Sequence, residues 1–287
     1  MSIVARWRWV IALRRVLDRY GAAGGGLLAG GLAYAALFAI VPAVVLLAGV
    51  AGLVYADPVA RAQAVSVLAG VLPPLRDLID TVLAEAARDA APVSVIGAVA
   101  LVWGTSRFVV SFLDALGRVM GGDRRRGILA QNLGALVAVV FMVAAIPASA
   151  ALSAVADFLE AGHASGVFQA IGALLAVALQ ALPVLATIGA MILVYRVVPR
   201  PAPTWRATLA PGLTIGIVLT VVARIFAFLA PRLIGTAALI GTLATVFAAL
   251  AWLALSFQAI LVGAAWVSER DESIRSADIR RASEGVA

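Results

Sequence analysis

The sequence predicts an all-α, polytopic membrane protein with six transmembrane helices, an N-terminal interfacial helix and an extracytoplasmic helical hairpin. Three observations carry that prediction. Hydrophobic residues make up 63% of the 287 and charged residues 13%, with a mean hydropathy of +1.06, where a soluble domain holds about 45–50% apolar residues. Residues 21–56 and 233–268 each run 36 residues without a charge, longer than the ~20 apolar residues that cross a bilayer. The arginines, which supply all 22 basic residues, cluster between the apolar runs.

Residues 1–20 read as a cytoplasmic interfacial helix. Trp9, Leu13, Val16 and Tyr20 share one face at helical spacing, while Arg8, Arg15 and Arg19 share another. A signal peptide also opens basic, but its apolar region stops after about 7–15 residues. Here the run is far longer, so the segment is expected to be retained. The membrane domain, 21–268, then holds spans at about 27–55, 92–113, 128–152, 169–195, 208–230 and 239–267, and a charged tail follows at 269–287. Pro92 suits the first turn of its helix. Pro42, Pro147 and Pro183 fall inside spans, where neighbouring helices satisfy the freed carbonyls.

The longest connection, 56–91, is not a plain loop. After Pro73-Pro74, residues Leu75, Leu78, Ile79, Val82 and Ala86 line one helical face and Arg76, Asp77, Asp80 and Arg88 the other. A hairpin resting on the outer membrane face or capping the bundle is expected.

Orientation follows from the arginines. The N-terminus holds five, 118–126 four, 196–206 three and the tail four, which puts sixteen on one side. The opposite side holds Arg61, Arg76, Arg88 and Arg232 among seven acids. The positive-inside rule makes the arginine-rich side cytoplasmic, and an even span count places both termini there. The pI near 11 is thereby explained by topology, and no nucleic-acid partner is expected.

Absences exclude several chemistries. There is no cysteine, and the single histidine, His163, cannot build a metal cluster or a Ser-His-Asp triad. No Walker motif or dinucleotide fingerprint occurs. No enzymatic activity, cofactor or metal is expected.

Two arginines fall within spans. Arg107 follows Trp103, Gly104, Thr105 and Ser106, with Asp114 seven residues on along the same face. Arg224 lies seven residues before Pro231. An arginine at a helix centre costs about 2.5–3.5 kcal/mol on insertion scales, so it is either a substrate or coupling group or one that snorkels to an interface. Bidentate binding of phosphate or carboxylate suits the first reading. Uncharged polar residues in the spans, among them Thr187, Thr214, Thr220, Ser256 and Gln258, read mostly as interhelical hydrogen-bond partners, and Gly212-xxx-Gly216 as intramolecular packing. A polar cavity bounded by Tyr34, Pro42, Trp103 and Trp252 would favour transport.

Several segments together resemble one family, the YihY/BrkB membrane proteins, some of which carry the labels virulence factor or ribonuclease BN. They are Leu32 to Phe38 leading to Pro42; Trp103 to Phe108 through Asp114-Ala115-Leu116; Tyr195 to Pro199 with Trp205-Arg206 and Pro211-Gly212; and Trp252 followed by Leu261 to Ala264. The resemblance covers most of the chain and implies six spans in the bacterial cytoplasmic membrane, with lipid or solute export suggested for some members. The chain departs at Gly117, where the family commonly has asparagine, at Ala265, where it often has glutamate, and within 226–230, where a tyrosine is usual.

Two readings of function follow. One is a transporter or flippase-like exporter of an anionic amphipath, lipid or small solute, using Arg107, Arg224, Tyr34, Pro42, Trp103, Ser106, Asp114 and Trp252. The other is a non-transporting scaffold or regulator of envelope partners. A ribonuclease is disfavoured, because the cytoplasmic loops lack metal ligands and an acid/base pair.

Overall fold

The computed structural model describes residues 3–54, 90–121, 181, 184–199, 201–235 and 241–284. These form helices α1 (Ile3–Ala22), α2 (Gly25–Val54), α3 (Ala90–Met120), α4 (Val184–Val197), α5 (Trp205–Gly235) and α6 (Gly241–Glu284), and no strand occurs among them. The expected hairpin at 56–91, apart from its last two residues, the span at 128–152, most of the first half of the span at 169–195, His163, Pro147 and Pro183 lie outside the described residues. So does the side chain of Pro42.

Two of these helices contain stretches long and apolar enough to cross a membrane, Trp205–Leu229 and Val246–Arg281, and the bent pair α1–α2 makes a third candidate. At 1.5 Å per residue, α3 and α5 are each about 46 Å long and α6 about 66 Å, against a hydrocarbon core of ~30 Å. The excess of α6 is its charged end, from Glu269 onward.

α1 and α2 meet at 61°. The bend is made by Gly24, whose φ of 68° is the left-handed conformation that a residue without Cβ adopts freely. Ala23 N donates to Arg19 O, and Gly24 N to Gly21 O, which closes α1 before Gly25 opens α2. The ring of Tyr20 folds into the space a Cβ on Gly25 would occupy. Val16 is buried and Tyr20 half-buried, as their shared face predicts, whereas Leu13 is exposed.

α6 is the hub. It packs on α1, α2, α3 and α5, and α2 packs on α3. Ala29, Leu32, Ala33 and Ala36 give α2 a buried stripe at spacings of three and four, and the alanines let backbones approach. Opposite them α6 supplies Leu253, Phe257, Ile260, Leu261, Ala264 and Ala265, with Phe108 and Phe112 of α3 packed on Phe257 at ring separations of 5.7 and 6.2 Å. The outer faces of α5 carry Leu209, Leu213, Ile217 and Val221, all exposed. Water would disfavour such a surface; lipid does not.

Several close approaches depend on glycine. A Cβ on Gly104 would lie 3.2 Å from Phe38 O; on Gly212, 2.5 Å from Ile192 Cγ1; and on Gly263 it would meet the hydroxyl of Tyr195. The last approach lets the fully buried Tyr195 donate to Ile260 O at 2.7 Å, tying α4 to α6. Tyr195→Phe is expected to cost about 1 kcal/mol of stability, because Ile260 O keeps its helical bond while the added donor is lost. Thermal unfolding in micelles checks this, and an unchanged midpoint would assign the hydroxyl no role in holding α4.

Candidate functional site

The register between helices places the sequence candidates. α3 and α6 run in the same direction, with Ser268 Oγ donating to Met120 O at one end and Phe108 beside Phe257 further in. α5 runs against α6, since Thr204 N donates to Asp271 Oδ1 while Ile215 lies against Gly263. Measured from this common end, Arg107 lies thirteen residues up α3, Trp252 sixteen up α6 and Arg224 nineteen up α5. At 1.5 Å per residue the three fall in one belt about 20–29 Å from that end.

Around the belt the candidates face different ways. Trp103, Arg107, Ser111 and Asp114 repeat at helical spacing down α3 and are all exposed, with Ser106 beside them. Tyr34 and Phe38 of α2 are exposed too, their rings 4.7 Å apart, at the level where Gly104 abuts Phe38 and Ala39. Trp252 is half-buried against the core, and its Nε1 is enclosed with no partner among the described residues. Arg224 is exposed on α5. Among the described residues neither Arg107 nor Arg224 forms a hydrogen bond or ion pair. Arg107, Trp252 and Arg224 thus fall within about 9 Å of one another along the bundle while Asp114 lies nearer the common end, and the described residues do not close around a single cavity. Arg232, further along α5, lies over the Phe228 ring.

The intraspan hydroxyls behave differently from the expectation of interhelical partners. Thr214 Oγ1 donates to Ala210 O, Thr220 Oγ1 to Gly216 O and Ser256 Oγ to Trp252 O, each at 2.8–2.9 Å and each within its own helix. The i−4 carbonyl is always within reach of such a hydroxyl, so it wins wherever no better acceptor is supplied across the interface.

The densest polar arrangement is one that the sequence did not single out. Arg19, expected to share a face with Arg8 and Arg15 away from the apolar one, turns inward. Its Nη2 bonds Glu272 Oε1 at 2.6 Å, its Nη1 bonds Glu269 Oε1 at 3.1 Å and its Nε donates to Val119 O at 3.2 Å. One guanidinium therefore fastens α1 to α3 and α6. The Arg19 hydrogen bond holds the Glu272 carboxyl below the usual range, in a segment beyond the apolar stretch that ends at Ser268. A second knot forms beside it. Asp271 accepts from Thr204 N at 2.8 Å, fixing the start of α5, and from Arg275 Nε at 2.7 Å. The signal for Arg19 is slight: its acids are the first charges after the second apolar run, 250 and 253 residues away.

Among the described residues no group of three or more His, Cys, Asp or Glu side chains gathers to hold a metal ion. Among the described residues, what the arrangement offers chemically is cationic: isolated arginines on apolar helices, and a fastened, arginine-rich end.

No curated relative and no solved structure matches the chain. Segments on which the family resemblance rests meet in space, Gly104 on Phe38 and Tyr195 on Gly263. The Virulence factor BrkB family matches over residues 16–285, and the chain is a membrane protein belonging to that family.

Proposed function

We propose that this chain is a non-enzymatic exporter or flippase that moves an anionic amphipath, lipid or small solute across the bacterial cytoplasmic membrane. The observation that carries the reading is the belt: Arg107 and Arg224 lie at similar depth in apolar helices, each without a partner among the described residues. An unpaired guanidinium in hydrocarbon is costly and is retained where an anion uses it. Trp103, Ser106 and Asp114 extend the polar stripe on α3, Tyr34 and Trp252 occupy the same layer, and Pro42 falls just beyond it in the chain. In this reading the chain has six spans, with the sixteen-arginine side and both termini cytoplasmic.

Reconstituted vesicles loaded with a panel of labelled anionic lipids and solutes provide the test. Translocation above that of empty vesicles is expected, falling about tenfold or more in Arg107→Ala and Arg224→Ala, the size of a lost charge-assisted contact. Rates equal to those of empty vesicles across the panel, or rates that neither substitution changes, would sink the reading.

A further inference from the structure

We propose that the arginine collar around residues 202–206, where α5 begins, is a binding site for the phosphate of an anionic lipid headgroup. Three guanidiniums from other helices converge on this five-residue segment. Arg196 Cζ lies 5.3 Å over the Trp205 ring, Arg270 Nη2 donates to Arg206 O at 3.3 Å, and Arg275 Nη2 donates to Ala202 O at 3.5 Å. Arg206 itself is the fourth. The carboxylate bonded to this segment is that of Asp271, already engaged by Thr204 N and Arg275.

Among the described residues the four arginines thus share one bonded acid, and the other acceptors of Arg270 and Arg275 are neutral carbonyls. Arg19, at the same end of the bundle, is answered by two glutamates; the collar is not. A topological preference for positive charge places arginines on one side, but it does not stack one on an indole or draw three onto one turn. At the start of the 31-residue α5, Thr204 N is engaged by Asp271 and Ala207 N and Thr208 N by Thr204 O, and the helix contributes its positive dipole end.

Guanidinium forks match phosphate oxygens, and free phosphate and a phospholipid share that chemistry. The surroundings favour the lipid. Trp205, Leu209, Leu213 and Ile217 form an exposed stripe at four-residue spacing that leads away from the arginines along α5. An acyl chain lying on that stripe would leave its headgroup at the collar, with Trp205 at the boundary where indoles concentrate.

The test is equilibrium binding of fluorescent phosphatidylglycerol to the purified full-length protein in micelles, with inorganic phosphate and phosphatidylcholine as competitors. Arg196→Gln with Arg270→Gln is expected to weaken binding about tenfold. Arg280→Gln with Arg281→Gln removes the same charge from the exposed tail and is expected to change it less than about twofold. Should the first pair lose the wild-type melting profile, Arg196→Gln with Arg206→Gln repeats the comparison. Equal weakening by collar and tail pairs, or none from the collar pair, overturns the site. Inorganic phosphate displacing the lipid at equal concentration overturns the assignment to lipid.

Discussion

Arg19→Gln is expected to destabilise the protein by about 2–4 kcal/mol, the sum of a part-buried charge-assisted bond, a bond to a carbonyl and a discounted exposed one. The guanidinium meets Glu269, Glu272 and Val119 O together, and a glutamine amide cannot serve all three. Glu272 is 61% exposed, so water and salt screen its share, and most of the loss comes from Glu269 and the α3 carbonyl. Titrating unfolding in micelles measures it. A loss below about 0.5 kcal/mol would mean that the contact behaves like an ordinary surface pair. The pH dependence has a definite sign. The folded-state pKa of Glu272 is lowered by Arg19, so its contribution is fully present above the ordinary value of about 4.5 and is lost as the pH falls through the lower folded value. The gap between wild type and Arg19→Gln should therefore narrow on acidification below that value and stay constant toward neutrality.

The second large effect is expected at the seam between α4 and α5. A Cβ on Gly216 would come 2.7 Å from Ile188 Cα and 2.6 Å from its Cγ1, so the obstruction is backbone and cannot rotate away. Gly216→Val should cost about 1–3 kcal/mol, and more if α4 cannot slide, because overpacking forces shifts through a close-packed interface. Valine's better helix propensity returns only a few tenths of a kcal/mol. Gly21→Ala is the control. Nothing lies within 4 Å of its Cβ position, and removing glycine's backbone freedom should be neutral or favourable by about 0.5–1 kcal/mol. Equal behaviour of the two variants would show that the seam has slack.

These two sites also mark how far the sequence can be read. The Gly212–Gly216 spacing was legible because close approach needs small residues four apart, and the structure packs both glycines of α5 against Ile192 and Ile188 of α4. Membrane character was legible from the charge-free runs. The α2 stripe at Ala29, Leu32, Ala33 and Ala36 was less so, since nearly every position of that helix is apolar and periodicity has little contrast to work with. Arg19 was misplaced for a related reason. A helical wheel assigns an arginine to the wet face, and only the arrival of Glu269 and Glu272 from the far end of the chain reverses that. Arg107 and Arg224 were visible as charges within apolar runs, but their common depth depended on the relative directions of α3, α5 and α6. Thr214, Thr220 and Ser256 bond within their own helices because their i−4 carbonyls are nearer than any partner, a choice that composition does not reveal.

The long reach of Arg19 has a consequence for biogenesis. Its two acidic partners are made 250 and 253 residues after it, which at ribosomal speeds of about 5–20 residues per second is a delay of roughly 12–50 s. α2 and α3 can pair well before that, with only the 35 residues 55–89 between them in the chain. Within α1 Asp18 pairs with Arg14, and Arg19 gains its own acids only when the charged end of α6 emerges. The fastening at Arg19 is therefore a late contact at this end of the bundle, and a chain cut short before residue 269 would insert its earlier helices and leave Arg19 without either glutamate.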